Sequence, residues 1–158
     1  MSELKKDSRI LVLRVNNFAS YTFVDEHKKA INKHKAVWML KVGRELAEQS
    51  IEKVMEESKK LIIKEPKHSG NHYYLCNICE IRTGEADSSM TMPKYYQELK
   101  ESGVSMTGTW IKIDSMKQIP EKDLIHFELV KSGKKMTEVI NCTRSPVLFV
   151  QSKVDLSI

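Results

Sequence analysis

Asn16 and Asn17, Trp38 with Met39, and Tyr95 with Tyr96 hold most of the recognition chemistry this sequence offers. An asparagine amide presents donors and an acceptor in one plane, which complements the Watson–Crick edge of a base. An indole or phenol ring stacks on a base with about 1–3 kcal/mol. Together these residues predict a slot for an extruded base, with Trp38 as one wall and Tyr95 or Tyr96 as the other. Each has a plainer role as well. Asn16-Asn17 is equally a turn at a strand end, Trp38 is equally a core residue, and of two adjacent tyrosines one can be core and one surface.

Cations stand where a nucleic-acid backbone would need them. Lys33 and Lys35 close a lysine-rich stretch that also holds Lys28 and Lys29, and Lys131, Lys134, Lys135 and Arg144 make a second cluster. These side chains suit phosphate contacts, although a solvated hairpin tip has the same composition. The 26 Lys+Arg against 21 Asp+Glu give a formal charge of +5, which favours an anionic partner without requiring one.

Other chemistries lack parts. Cys76-x-x-Cys79 is half of a zinc site, but only Cys142 and scattered histidines remain to complete it. Residues three apart in a strand also face opposite ways, so both cysteines are expected as buried packing residues and no metal is expected. No glycine-rich phosphate loop, nucleophile elbow or metal-binding histidine pair is present, so neither cofactor nor catalysis is expected. A hydrolytic centre would have to join Lys41 or Lys112 to Glu80 or Glu85.

The elements that must position these residues form an α+β pattern. Residues 10–15 predict a buried strand, 23–35 a short helix with a basic face, and 45–60 an amphipathic helix built on Leu46, Ala47, Ile51, Val54 and Met55. A hairpin follows, with strands at 61–63 and 72–82 about a turn at 66–71. Residues 83–92 read as a surface loop and 93–100 as a short helix, with further strands at 109–113, 124–130 and 146–151. The expectation is about six strands with two or three helices. Residues 9–152 make one domain, with a flexible N-terminus at 1–8 and a C-terminal tail at 153–158. Three cysteines without a signal-like N-terminus suggest a reducing, cytoplasmic compartment. No apolar run approaches the roughly 20 residues of a membrane span, so a soluble chain is expected.

Several of these segments, in order, resemble the YTH and EVE branch of the PUA-like superfamily. Arg9-Ile-Leu-Val-Leu-Arg-Val-Asn-Asn17 resembles the opening strand of YTH domains, and Lys35-Ala-Val-Trp38 resembles the segment with their first cage tryptophan. Leu61-Ile-Ile63, Ser69-Gly70 and the strand from Tyr73 to Ile81 are similar to the central hairpin. Gly108-Thr-Trp-Ile-Lys-Ile-Asp114 with Ile119-Pro120 is similar to the next strand and its proline turn, and residues 142–150 to the final strand. The resemblance implies a small PUA-like β-barrel flanked by helices, without catalytic activity, that holds a methylated base of RNA or DNA in an aromatic cage. Asn16 would contact the base and Trp38 would stack on it. This sequence has Tyr95 or Tyr96 in place of the second cage tryptophan, and Met39 in place of a small polar residue. Two alternatives accompany this expectation: a PUA- or ASCH-like RNA-binding domain that reads shape alone, and a small-molecule hydrolase on the same barrel.

Overall fold

Alternate residues of the first long strand face different cores. In β2 (Ile10–Arg14) Leu11 and Leu13 join one apolar cluster, whereas Ile10 and Val12 join another, as the two-residue period of a strand requires. All four are nearly inaccessible in the computed structural model, which describes residues 3–158. The other elements are β1 (Glu3–Leu4), α1 (Phe23–His34), β3 (Val37–Val42), α2 (Glu48–Glu57), β4 (Lys60–Lys64), β5 (Tyr73–Glu85), α3 (Tyr96–Glu101), β6 (Thr107–Gln118), β7 (Phe127–Leu129), α4 (Met136–Val139), β8 (Val147–Ser152) and β9 (Leu156–Ser157). Seven strands form one sheet in the order β3-β6-β5-β4-β2-β8-β7, with β2 well inside it.

β2 and β4 run parallel, in register from Leu11 opposite Leu61 to Arg14 opposite Lys64. The other pairings of this sheet are antiparallel. A parallel pair needs a long crossover, and here it carries α1, β3 and α2. The two helices bury Phe23, Val24, Ala30 and Val54 against the face formed by Leu11, Leu13, Leu61 and Ile63. The opposite face, with Ile10, Val12 and Ile62, is covered by Phe127, Met136, Ile140, Leu4 and Ile158. A third cluster joins Trp38, Met90, Tyr95, Tyr96 and Trp110.

The α+β class is as expected, but the barrel does not close. β3 and β7 are the two edges of the sheet and do not pair with each other. The Trp38 N–H on the β3 edge donates to the Thr91 carbonyl at 2.8 Å, so a loop occupies that edge where a closing strand would lie. β7 is only three residues long, because much of the strand expected at 124–130 is a 3₁₀ segment, Glu121–His126. Within the segments expected as N-terminus and C-terminal tail, β1 and β9 pair, and Leu4 and Ile158 are buried. β5 and β6 are longer than expected and slip past each other, with Ile78 opposite Ile113 and Glu80 opposite Lys112. Cys79 is the extra residue on β5 at that slip and is exposed, unlike the buried Cys76. No described helix is long and apolar enough to cross a membrane.

Gly108 shows how tightly β3 is held. It lies opposite Val42, and a Cβ there would collide with the Lys41 carbonyl oxygen. Gly108→Ala is therefore expected to destabilise the protein by about 1–3 kcal/mol in urea unfolding. A loss below about 0.5 kcal/mol would show that β3 can move away at little cost.

Candidate functional site

A cavity of about 320 Å³ opens where β2 ends, between the segment after it, the second half of β3 and α3. Asn16, Asn17, Met39, Tyr95 and Tyr96 all line it. The sequence is thus folded so that residues almost eighty positions apart share one wall. Phe18, Phe23, Leu40 and Leu99 complete the apolar lining.

Trp38 lies elsewhere. Neighbouring residues of a strand point to opposite faces, so Met39 and Trp38 do not share a wall. Trp38 is 4% exposed, packs in the cluster with Met90 and Trp110, and does not line the cavity. The Arg82 guanidinium covers its ring at 5.0 Å and is itself paired with Glu80 and Asp87. Of its two readings, the structure shows the core one.

The adjacent asparagines have different tasks. Asn17 accepts the Phe23 N–H at 2.9 Å and donates to the Ser69 hydroxyl at 2.5 Å. Phe23 opens α1, where the first N–H groups lack intrahelical partners, and Thr22 makes no side-chain cap. Asn17 supplies the missing acceptor and ties the helix to the hairpin turn. Asn16 is exposed at the mouth, and its amide makes no hydrogen bond to the described residues.

The back of the cavity is a satisfied polar chain. His27, fully buried, lies 2.7 Å by Nδ1 from the Phe23 carbonyl and 2.8 Å by Nε2 from the Tyr96 hydroxyl. A carbonyl only accepts, so Nδ1 carries the proton and Nε2 accepts from Tyr96. The Tyr96 oxygen in turn accepts the Leu40 N–H at 3.2 Å. Burial pushes the His27 pKa down to about 4, against the opposing pull of the Phe23 carbonyl, so the ring is neutral at pH 7. Burial likewise raises the Tyr96 pKa, and its hydroxyl stays protonated. Tyr95 stands edge-on to Tyr96 and stacks with Tyr21 at 5.2 Å and 17°. Phe18 stacks on Tyr95 more distantly, at 6.3 Å. The aromatic wall therefore includes Phe18 and Phe23, which sequence reasoning missed. Their signal was three aromatics, Phe18, Tyr21 and Phe23, within six residues of Asn17.

The expected cations are exposed but scattered. Lys33 lies ten residues along α1 from Phe23, about 15 Å at a helical rise of 1.5 Å, and Lys35 follows the helix. Lys131, Lys134 and Lys135 surround the turn after β7, while Arg144 lies two residues before Pro146, a residue of the cavity wall. The groups considered for hydrolysis do not meet in the cavity. Lys41 lines it but donates to the Arg44 carbonyl, Glu80 is held by Arg82, and no carboxylate is among the described lining residues. No cluster of histidine, cysteine and carboxylate side chains suited to a metal occurs among the described residues. No family model, curated protein or solved structure matches this chain.

Replacing each asparagine separates the two roles. Asn17→Ala is expected to lower stability by about 1–2 kcal/mol, because a helix-start N–H loses its acceptor. Asn16→Ala should stay within about 0.5 kcal/mol of wild type. Equal losses in urea unfolding would contradict the division. His27 adds a pH dependence of defined sign. Between its unfolded pKa of 6.5 and its folded value of about 4, the unfolded state binds the proton first. Its contribution is complete above pH 6.5 and is lost as pH falls towards 4, by about 3 kcal/mol at most. The pH slope of stability over that window should be shallower in His27→Gln than in wild type. Parallel slopes would show that His27 titrates normally.

Proposed function

We propose that this protein is a non-enzymatic, nucleic-acid-binding domain of the YTH/EVE-like type that holds a methylated base in the cavity beside Asn16. The observation that carries this reading is the free Asn16 amide at the mouth of a small aromatic-walled cavity whose deeper polar groups are already paired. At about 320 Å³ the cavity lies near the lower end of the roughly 300–1,000 Å³ typical of ligand sites. That size suits one planar heterocycle.

In this reading Asn16 hydrogen-bonds the edge of the flipped base, while Phe18, Tyr95 and Tyr96 form its aromatic surroundings. Met39, Leu99 and Val104 line the same space and offer a methyl group an apolar surface in place of water. Trp38 supports this wall from the neighbouring cluster and does not stack on the ligand. Arg144 and the lysines at 131, 134 and 135 contribute long-range attraction to the phosphate backbone, as do Lys33 and Lys35.

Fluorescence-anisotropy titrations with single-stranded and duplex oligonucleotides test the proposal. The oligonucleotides carry N6-methyladenine, 5-methylcytosine, 5-hydroxymethylcytosine or no modification. One modified base should bind at least tenfold more tightly than its unmodified counterpart, about 1.4 kcal/mol. Asn16→Ala should remove that preference, whereas Trp38→Phe should retain it. Equal and salt-sensitive binding to every oligonucleotide would overturn base reading in favour of a shape-only binder.

A further inference from the structure

A second cavity, of about 310 Å³, adjoins the first and shares Arg14, Val15, Asn16 and Pro146 with it. Its chemistry is different. Arg14 and Lys64 are register partners at the C-terminal ends of the parallel strands β2 and β4, so two cationic side chains start side by side at its wall. Lys67 adds a third. Like charges placed opposite each other in a sheet are destabilising, and a buried cation is normally paired.

These cations have no ion-pair partner among the described residues. Lys64 is only 5% exposed; its ammonium donates to the Glu65 carbonyl at 2.6 Å and sits 5.6 Å from the centre of the Tyr73 ring. Burial lowers its pKa, and the charges of Lys67 and Arg14 lower it further against the pull of Glu65. Glu65, the one carboxylate in the lining, directs Oε2 to the His72 N–H at 2.8 Å and to the His72 ring at 2.6 Å. Arg14 reaches the Ile140 carbonyl at 3.4 Å by one terminal nitrogen, while its Nε is buried without a partner. Donors on Arg14 and Lys64 thus remain unused beside a polar cavity. A ligand with several acceptor oxygens and negative charge would satisfy both the donors and the repulsion.

We propose that this second cavity is a binding site for a phosphate group, held by Arg14, Lys64 and Lys67. The rim it shares with the aromatic cavity lets one nucleotide occupy both, with its base beside Asn16 and its phosphate beside Lys64. This nucleotide assignment rests on the base-reading function above, whereas the phosphate site stands on its own charges.

The test uses the full chain and separates the two. Inorganic phosphate is titrated against ¹⁵N-labelled protein, with chloride at matched ionic strength as control. Calorimetry then compares three ligands built on the preferred base: the nucleoside, its 5′-monophosphate, and a dinucleotide with one internal phosphodiester and no terminal phosphate. Phosphate should shift the backbone amides of Arg14, Lys64 and Lys67 where chloride does not. At least one phosphate-bearing ligand should bind tenfold or more tightly than the nucleoside, and which one does so distinguishes a terminal phosphate from a strand phosphodiester. Lys64→Met should abolish that gain and leave nucleoside binding unchanged; Lys67→Ser, at an exposed position, should reduce it if Lys64→Met does not fold. Phosphate shifts without nucleoside binding would uphold the anion site and remove the base reading. Nucleoside binding with no phosphate shift and no gain from a phosphate would overturn the anion site alone.

Discussion

The parallel pairing of β2 with β4 positions both cavities and the elements that wall them. It sets two strands with the same direction in the middle of an otherwise antiparallel sheet, so the intervening chain must cross over one face. That crossover delivers α1 against the sheet and lays β3 along the far edge. It also brings the ends of β2 and β4 together, with Arg14 beside Lys64 and Asn16 just beyond. Both cavities open there, as ligand sites of mixed sheets commonly do at the C-terminal ends of parallel strands.

Polar groups near those strand ends divide into those closed by structural hydrogen bonds and those left open. Asn17, Tyr96 and His27 are closed by hydrogen bonds to Phe23, Ser69 and Leu40, and each bond fixes an element that shapes the cavity. Neutral His27 fits this role because burial opposes its charge. Asn16 and Arg14 are left with unused hydrogen-bonding capacity. Rigid walls and a few free polar groups are the features that let a site discriminate among ligands of similar size.

Much of this architecture was legible in the sequence, for local reasons. The unbroken apolar run of residues 10–13 and the 3.6-residue stripe around Val54 reflect burial on two faces and on one, so both elements were found. The helix is shorter than predicted: Ala47, just before it, is extended, Leu46 packs on the core and donates its N–H to the Thr109 hydroxyl, and Lys59, just after it, turns the chain with a positive φ. The strand at 124–130 misled because Leu124, Phe127 and Leu129 are apolar, yet the preceding Pro120-Glu121 start favours a 3₁₀ turn. Sheet closure was not legible at all, since it depends on whether two edges meet in space. Asn16, Tyr95 and Tyr96, singled out by residue type, come together at one cavity, while Trp38 lies outside it because its face is set by the register of β3 on β6. Lys64 could not be singled out: a lysine at a strand end looks solvated until the cover over it is known.

Amide chemical-shift mapping with an oligonucleotide carrying the preferred modified base decides whether a base enters the aromatic cavity. The largest perturbations should fall on Asn16, Phe18, Leu40 and Tyr96, which surround the aromatic cavity. Perturbations confined to Lys33, Lys35 and the turn at 131–135, with those four amides unmoved, would contradict base insertion and leave only a charged surface that holds the backbone.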